Sequence, residues 1–170
     1  MMARAMLRIL AAALLVALAV LPGCSRAAPD ATPEGAVRQW LEKMEDSLAD
    51  PAAGKEAYAL LSAGARKNLK ARADRDGPRQ GRRIQPYEML AEGRFGLRFR
   101  PKHMSATITG DRASVDVRGD EPSAQATVFC SKEPVADANG KPTALLAWRV
   151  DLELPDVAPL NKRPGAGGSL

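Results

Sequence analysis

The hydrophobic period of the chain changes once, near residue 95, and that change most constrains the fold. From Pro33, the residues Val37, Trp40, Leu41, Met44 and Leu48 form a single apolar stripe at helical spacing. Thr32 stands where an N-cap is needed, Pro33 suits the first turn, and Glu34 complements the helix dipole. Asp50-Pro51 is expected to stop this helix. A shorter helix is expected over 54–61, on Ala57, Tyr58, Leu60 and Leu61. Ser62 can cap a third, from Ala63 to about Ala73, whose stripe is Ala65, Leu69 and Ala73. Residues 74–83 read as a polar loop, and Pro86 opens a short helix over 87–91 closed by Gly93.

Beyond that point the period is two. Phe95, Leu97 and Phe99 alternate with Arg94, Gly96, Arg98 and Arg100, which predicts a strand with one arginine face. Met104, Ala106 and Ile108 form the apolar side of a second strand. Gly110-Asp111 has glycine first, as a type II′ hairpin turn requires. The return strand turns Ala113, Val115 and Val117 inward. A further strand is expected over 124–130. A long loop with Asn139-Gly140 then leads to a last one on Leu146, Trp148, Val150 and Leu152. Helices first and an antiparallel meander afterwards predict an α+β domain.

The two ends constrain processing. Arg4 and Arg8 precede an uncharged apolar run, Ile9 to Leu21, followed by Leu21-Pro22-Gly23-Cys24. A charged start, an apolar core and small residues form an export signal. At about 1.5 Å per residue the run is too short for a hydrocarbon core of about 30 Å. Its end resembles the lipobox of bacterial lipoproteins. That resemblance implies cleavage before Cys24, a thioether-linked diacylglyceryl group on its sulfur, and membrane attachment. Ser25 in place of aspartate implies the periplasmic face of the outer membrane, with the inner membrane as the alternative. The expected divisions are a signal over 1–23, a tether over 24–31, one α+β domain over 32–154 and a flexible tail over 155–170. Cys24 and Cys130 are the 2 cysteines. With lipid on Cys24, Cys130 is expected to be a buried, inert thiol.

The segment Thr32-Pro-Glu-Gly-Ala-Val-Arg-Gln-Trp-Leu, then Glu56-Ala-Tyr-Ala-Leu-Leu-Ser62, then Ile108-Thr-Gly-Asp-Arg-Ala-Ser-Val-Asp-Val117 resembles small exported proteins of the nuclear transport factor 2-like (SnoaL-like) superfamily. The resemblance covers about residues 32–154. It implies helices on a curved antiparallel sheet folded into a cone around a pocket, and a homodimer through the outer sheet face. A cystatin-like helix on a sheet is the competing architecture. Trp40, Tyr58 and Trp148 are the residues expected to line such a pocket for a small apolar ligand. A SnoaL-like enzyme would use His103 with Asp116. Asp116 and Asp151 lie on polar strand faces, where cyclase-like members place pocket acids.

Little else points to catalysis. One histidine and no clustered ligand spacing argue against a metal site, and phosphate loops, nucleophile elbows and cofactor motifs are missing. No cofactor is expected. His103 is the default general base as the one histidine, but it follows Pro101-Lys102 on the polar side of its strand. Charge is more informative. Residues 66–102 hold twelve Lys/Arg against four Asp/Glu, a net charge of +8, within a chain whose net charge is +5. Arg66, Lys67, Lys70, Arg79, Arg82, Arg83, Arg94, Arg98 and Arg100 make up this basic region. Phe95 and Phe99 fall on the apolar face opposite the arginines, so no stacking aromatics interleave the cations as nucleic-acid binding needs, and no nucleic-acid partner is expected. A non-catalytic binding or accessory module is expected, its basic region facing an anionic membrane or an acidic envelope protein.

Overall fold

The computed structural model describes residues 28–90, 95–137 and 139–157. Three helices and a four-stranded antiparallel sheet make an α+β domain. Cys24 and the residues expected to form an export signal lie outside the described residues, as does Arg94. Among the described residues no helix is long and apolar enough to cross a membrane.

Helix α1 spans Pro33–Asp46. The Gly35 amide donates to Thr32 Oγ1 at 3.1 Å, and Ala36, Val37, Trp40 and Met44 are buried. The helix ends earlier than its stripe predicts. Ser47 Oγ donates to the Met44 carbonyl at 2.7 Å, and the chain tightens through turns at 47–49. Leu48 is consequently 79% exposed rather than core. Asp50-Pro51 does not merely stop α1; it starts α2, Pro51–Ala59, with the Ala52 amide donating to Asp50 Oδ1. Helix α3 runs Ala63–Asp76, three residues into the expected polar loop, and buries Ala65, Leu69 and Ala73. Short 3-10 turns follow at Pro78–Gln80 and Pro86–Leu90, the second in place of the expected short helix.

The strands are β1 His103–Thr109, β2 Arg112–Arg118, β3 Gln125–Ala136 and β4 Pro142–Asp151, paired in sequence order. Gly110 has φ +59 and Asp111 stays at negative φ, as a type II′ turn requires. Met104 faces Val117, Ala106 faces Val115, and Val115 faces Val128 on the inner side. β3 extends well past Cys130 because Asp137 Oδ1 accepts the Asn139 and Lys141 amides, closing a hairpin. The ladder slips between Pro134 and Ala136, where proline removes a donor. The arginine-rich segment 95–101 is the main departure. Its side chains alternate between half-buried and exposed, but no strand among the described residues pairs with it. Pro101 cannot donate to a ladder. The segment runs straight into β1, and β2, which would be its neighbour, turns away at Gly119, whose amide donates to the Ala124 carbonyl. The free edge of β1 is held by Glu34, which accepts from the Ala106 amide at 3.0 Å.

The opposite edge is tied to the same end of α1. Arg149 Nη1 donates to Asp30 Oδ2 at 2.6 Å and to the Trp148 carbonyl at 3.0 Å. Asp30 belongs to a 3-10 turn, Pro29–Ala31, that rests directly on Gly35. Beside it, Leu61 forms a parallel bridge with Val150, held by Ser62 N–H to the Val150 carbonyl and Val150 N–H to the Leu60 carbonyl. The core between α1, α3 and the inner sheet face is Val37, Trp40, Leu61, Leu69, Val115 and Val150 with their neighbours. Pro155, where the tail is expected to begin, is still held: its carbonyl accepts from Asn68 and Arg72.

Candidate functional site

Among the described residues, part of the basic region is ion-paired and part is not. Lys70 bridges to Asp74 one turn on, Arg75 holds Asp76 at 2.9 Å, and Arg79 reaches the same carboxylate at 3.9 Å. The Arg75 hydrogen bond keeps the Asp76 carboxyl below the usual range. Arg82 donates to Glu88 at 2.6 Å; Glu88 is held low first by the Gln85 amide and then by Arg82. Arg66, Lys67, Arg83, Arg98 and Arg100 form ion pairs with no described residue. The free positive charge is therefore smaller than the count along the chain suggests.

Arg98 and Arg100 also belong to the walls of a groove of about 580 Å³ between the C-terminal half of α1 and segment 96–101. Its apolar walls are Leu41, Met44, Leu90, Leu97 and Phe99. The alternation that predicts a strand is what builds this arrangement: Leu97 and Phe99 turn toward α1 while the two arginines stay exposed.

The aromatic residues expected to line a pocket stand elsewhere. Trp40 and Trp148 are 2% and 4% exposed, closed into the core. Trp40 Nε1 is buried with no hydrogen-bond partner among the described residues, and Lys132 Nζ lies 5.8 Å from the Trp148 ring centre. Tyr58 is half-buried and donates its hydroxyl to the Arg66 carbonyl at 3.1 Å. Its phenol is raised above its ordinary value by burial, against the pull of Arg66 and Lys70.

His103 and Asp116 are diagonal neighbours on the outer sheet face, because His103 pairs with Arg118 and Ser105 with Asp116. Both are exposed, and Asp116 Oδ1 accepts from Thr127 Oγ1 at 3.0 Å. They do not converge in a closed pocket, so His103 has no enclosed substrate position to act on. Among the described residues no group of three His, Cys, Asp or Glu side chains could hold a metal ion. Cys130 is buried; desolvation, then the carboxylates of Asp151 and Glu34, push its thiol up to about 12, which keeps it in the unreactive protonated form.

One arrangement goes unseen along the chain. The register places Thr107 beside Ser114, Ser114 beside Phe129 and Phe129 beside Asp151. These four outer-face residues form one row across all four strands. The row floors a cleft of about 440 Å³ walled by Leu152–Leu154, with Thr109 and Arg112 at its side. Asp151 Oδ1 accepts from Ser62 Oγ at 3.0 Å, and Ser62 also caps α3 through the Ala65 amide. Only alternation hints at these residues in the sequence; their alignment depends on pairing between strands.

The chain matches no family model, no curated protein and no solved structure.

Proposed function

We propose that the protein is an envelope lipoprotein, anchored through Cys24, whose domain is a non-catalytic binding or accessory module. Its basic flank then lies against anionic lipid. The observation that carries the reading is the pair Arg98 and Arg100, exposed beside an apolar groove and ion-paired with no described residue. Held near a membrane by the anchor, each such cation adds about 1 kcal/mol of attraction to an anionic surface. A cone of the nuclear transport factor 2-like kind is the finer architecture of this proposal. It is supported by the ties of Glu34 to β1 and Asp30 to β4, which draw opposite sheet edges toward one end of α1.

The test compares wild type, Cys24→Ala and Arg98→Glu/Arg100→Glu by metabolic lipid labelling, membrane fractionation and salt washing. Label is expected in wild type and the arginine variant and lost in Cys24→Ala. Residual retention of Cys24→Ala should be salt-sensitive and should fall at least about tenfold when the arginine changes are added. Unlabelled, freely soluble wild type would refute the anchor; salt-insensitive residual retention would refute the basic flank.

A second reading, binding of a small apolar ligand, is favoured by the same groove, with Leu41, Met44, Leu90, Leu97 and Phe99 as its walls in place of Trp40, Tyr58 and Trp148. An apolar fluorescent dye should bind wild type and lose affinity in Leu97→Ser. Equal binding to both proteins would eliminate that reading.

A further inference from the structure

The row Thr107, Ser114, Phe129 and Asp151 is chemically unusual for a solvent-facing strip. It presents two hydroxyls, then a phenyl ring 39% exposed, then a carboxylate, in one line across four strands. Directly opposed residues have Cβ atoms about 5 Å apart, so the line is a continuous surface rather than four separate groups. Leu152–Leu154 walls it into a cleft, and Arg112 adds a fork of donors beside the hydroxyls. Asp151 is oriented in advance: Ser62, itself 2% exposed, holds one carboxylate oxygen, and the other accepts from no described residue.

The chemistry of the lining selects the occupant. A wholly apolar ligand would strip water from Thr107, Ser114 and Asp151 without replacing those hydrogen bonds, which is costly. A phosphate or other anion would meet Asp151 and Glu153 against the single Arg112. A neutral sugar ring has both faces that the cleft asks for. Its C–H face carries slight positive charge and fits the negative face of Phe129. Its rim of hydroxyls can donate to Asp151 and accept from Arg112, Thr107 and Ser114. The volume lies within the range of small-ligand sites. We infer that this outer-face cleft binds a neutral saccharide of one or two rings, with Phe129 as the stacking platform and Asp151 as the hydroxyl acceptor. The inference is independent of the lipid anchor and of the basic flank.

Saturation-transfer NMR on the full chain in detergent micelles tests it, with the neutral disaccharides N,N′-diacetylchitobiose and maltose as probes at up to about 10 mM. Transfer is expected from at least one disaccharide, strongest at ring C–H protons. Phe129→Leu keeps an apolar side chain but loses the π face; Asp151→Asn keeps an acceptor for Ser62 but loses the charge. Each should weaken binding at least about tenfold, whereas Arg118→Gln, outside the cleft, should leave it unchanged. Thermal melting of each variant separates lost binding from lost folding. No transfer from either sugar to a protein with an intact melting transition overturns the inference. So does binding that persists unchanged in both Phe129→Leu and Asp151→Asn.

Discussion

Gly35→Ala puts two effects of opposite sign in direct competition. Within a helix, alanine is favoured over glycine by about 1 kcal/mol, so propensity alone predicts a more stable protein. Position 35 is different because the 3-10 turn Pro29–Ala31 rests on it. A Cβ there would sit 1.9 Å from the Pro29 carbonyl oxygen and 3.0 Å from Thr32 Oγ1. The first of these is backbone and cannot rotate away. The turn must lift, and Asp30 lifts with it, away from Arg149. Those two side chains are only 21% and 13% exposed, so the bond is a partly buried, charge-assisted one of about 1.5–3 kcal/mol. Set against the propensity gain, the net loss is about 0.5–2 kcal/mol, or a fall in Tm of about 2–8 °C for a domain of this size. Thermal and urea unfolding of Gly35→Ala, Asp30→Asn and the double variant form the assay. The mechanism requires Gly35→Ala to cost much less once Asp30 has been changed, because the contact it disrupts is already gone. A stabilised Gly35→Ala, or strictly additive effects, would refute the reasoning.

Three further outcomes follow from the same contacts. Ser62→Ala removes the α3 cap and the Asp151 partner from a buried position, and should cost about 1–3 kcal/mol by urea denaturation; a loss under about 0.5 kcal/mol would mean the hydroxyl is replaceable by water. Glu34→Ala exposes the Ala106 amide on the β1 edge, so hydrogen exchange at Ala106 should quicken and the protein should self-associate more readily with concentration; unchanged exchange would show that Glu34 does not guard the edge. Cys130 keeps its proton up to about 12 in the native state, whereas an unfolded thiol ionises near about 8.5. Stability is therefore unaffected by this group below that lower value and falls as pH rises between the two. Cys130→Ala should lower stability at neutral pH yet flatten the decline above pH about 9; an equally steep decline in the variant would assign it to other groups.

What could be read along the chain was mostly local. The buried positions Val37, Trp40, Met44, Leu69, Val115, Val117 and Val150 follow from periods of 3.6 and two, which each element expresses by itself. Element ends were harder because the same residues carry two meanings. Asp50-Pro51 reads as a stop, but it is also a cap and a first turn, and α2 uses it that way. The continuation of β3 through Ser131–Pro134 is masked by polar residues and a proline that a hairpin neighbour tolerates. Segment 95–101 shows the limit of periodicity: alternation predicts an extended chain with two unlike faces, not a partner to bond with. The candidate sites follow the same division. The excess of cations was countable, but Asp76 and Glu88 neutralise part of it across turns. The row from Thr107 to Asp151 depends on the register of three successive pairings.

The bridge between Leu61 and Val150 also bears on the order in which the molecule can assemble. Each strand of the meander meets its neighbour after a short turn. Ser62 and Asp151, by contrast, are 89 residues apart along the chain. Closing a loop of that length costs about 4 kcal/mol of chain entropy before any contact repays it. The sheet can therefore form from local encounters, while the helical layer must wait for β4, the last strand made. During that interval the core lacks Trp148 and Val150, against which α1 and Leu61 complete their burial. The half of the domain that comes first in the chain is the half that completes its burial last.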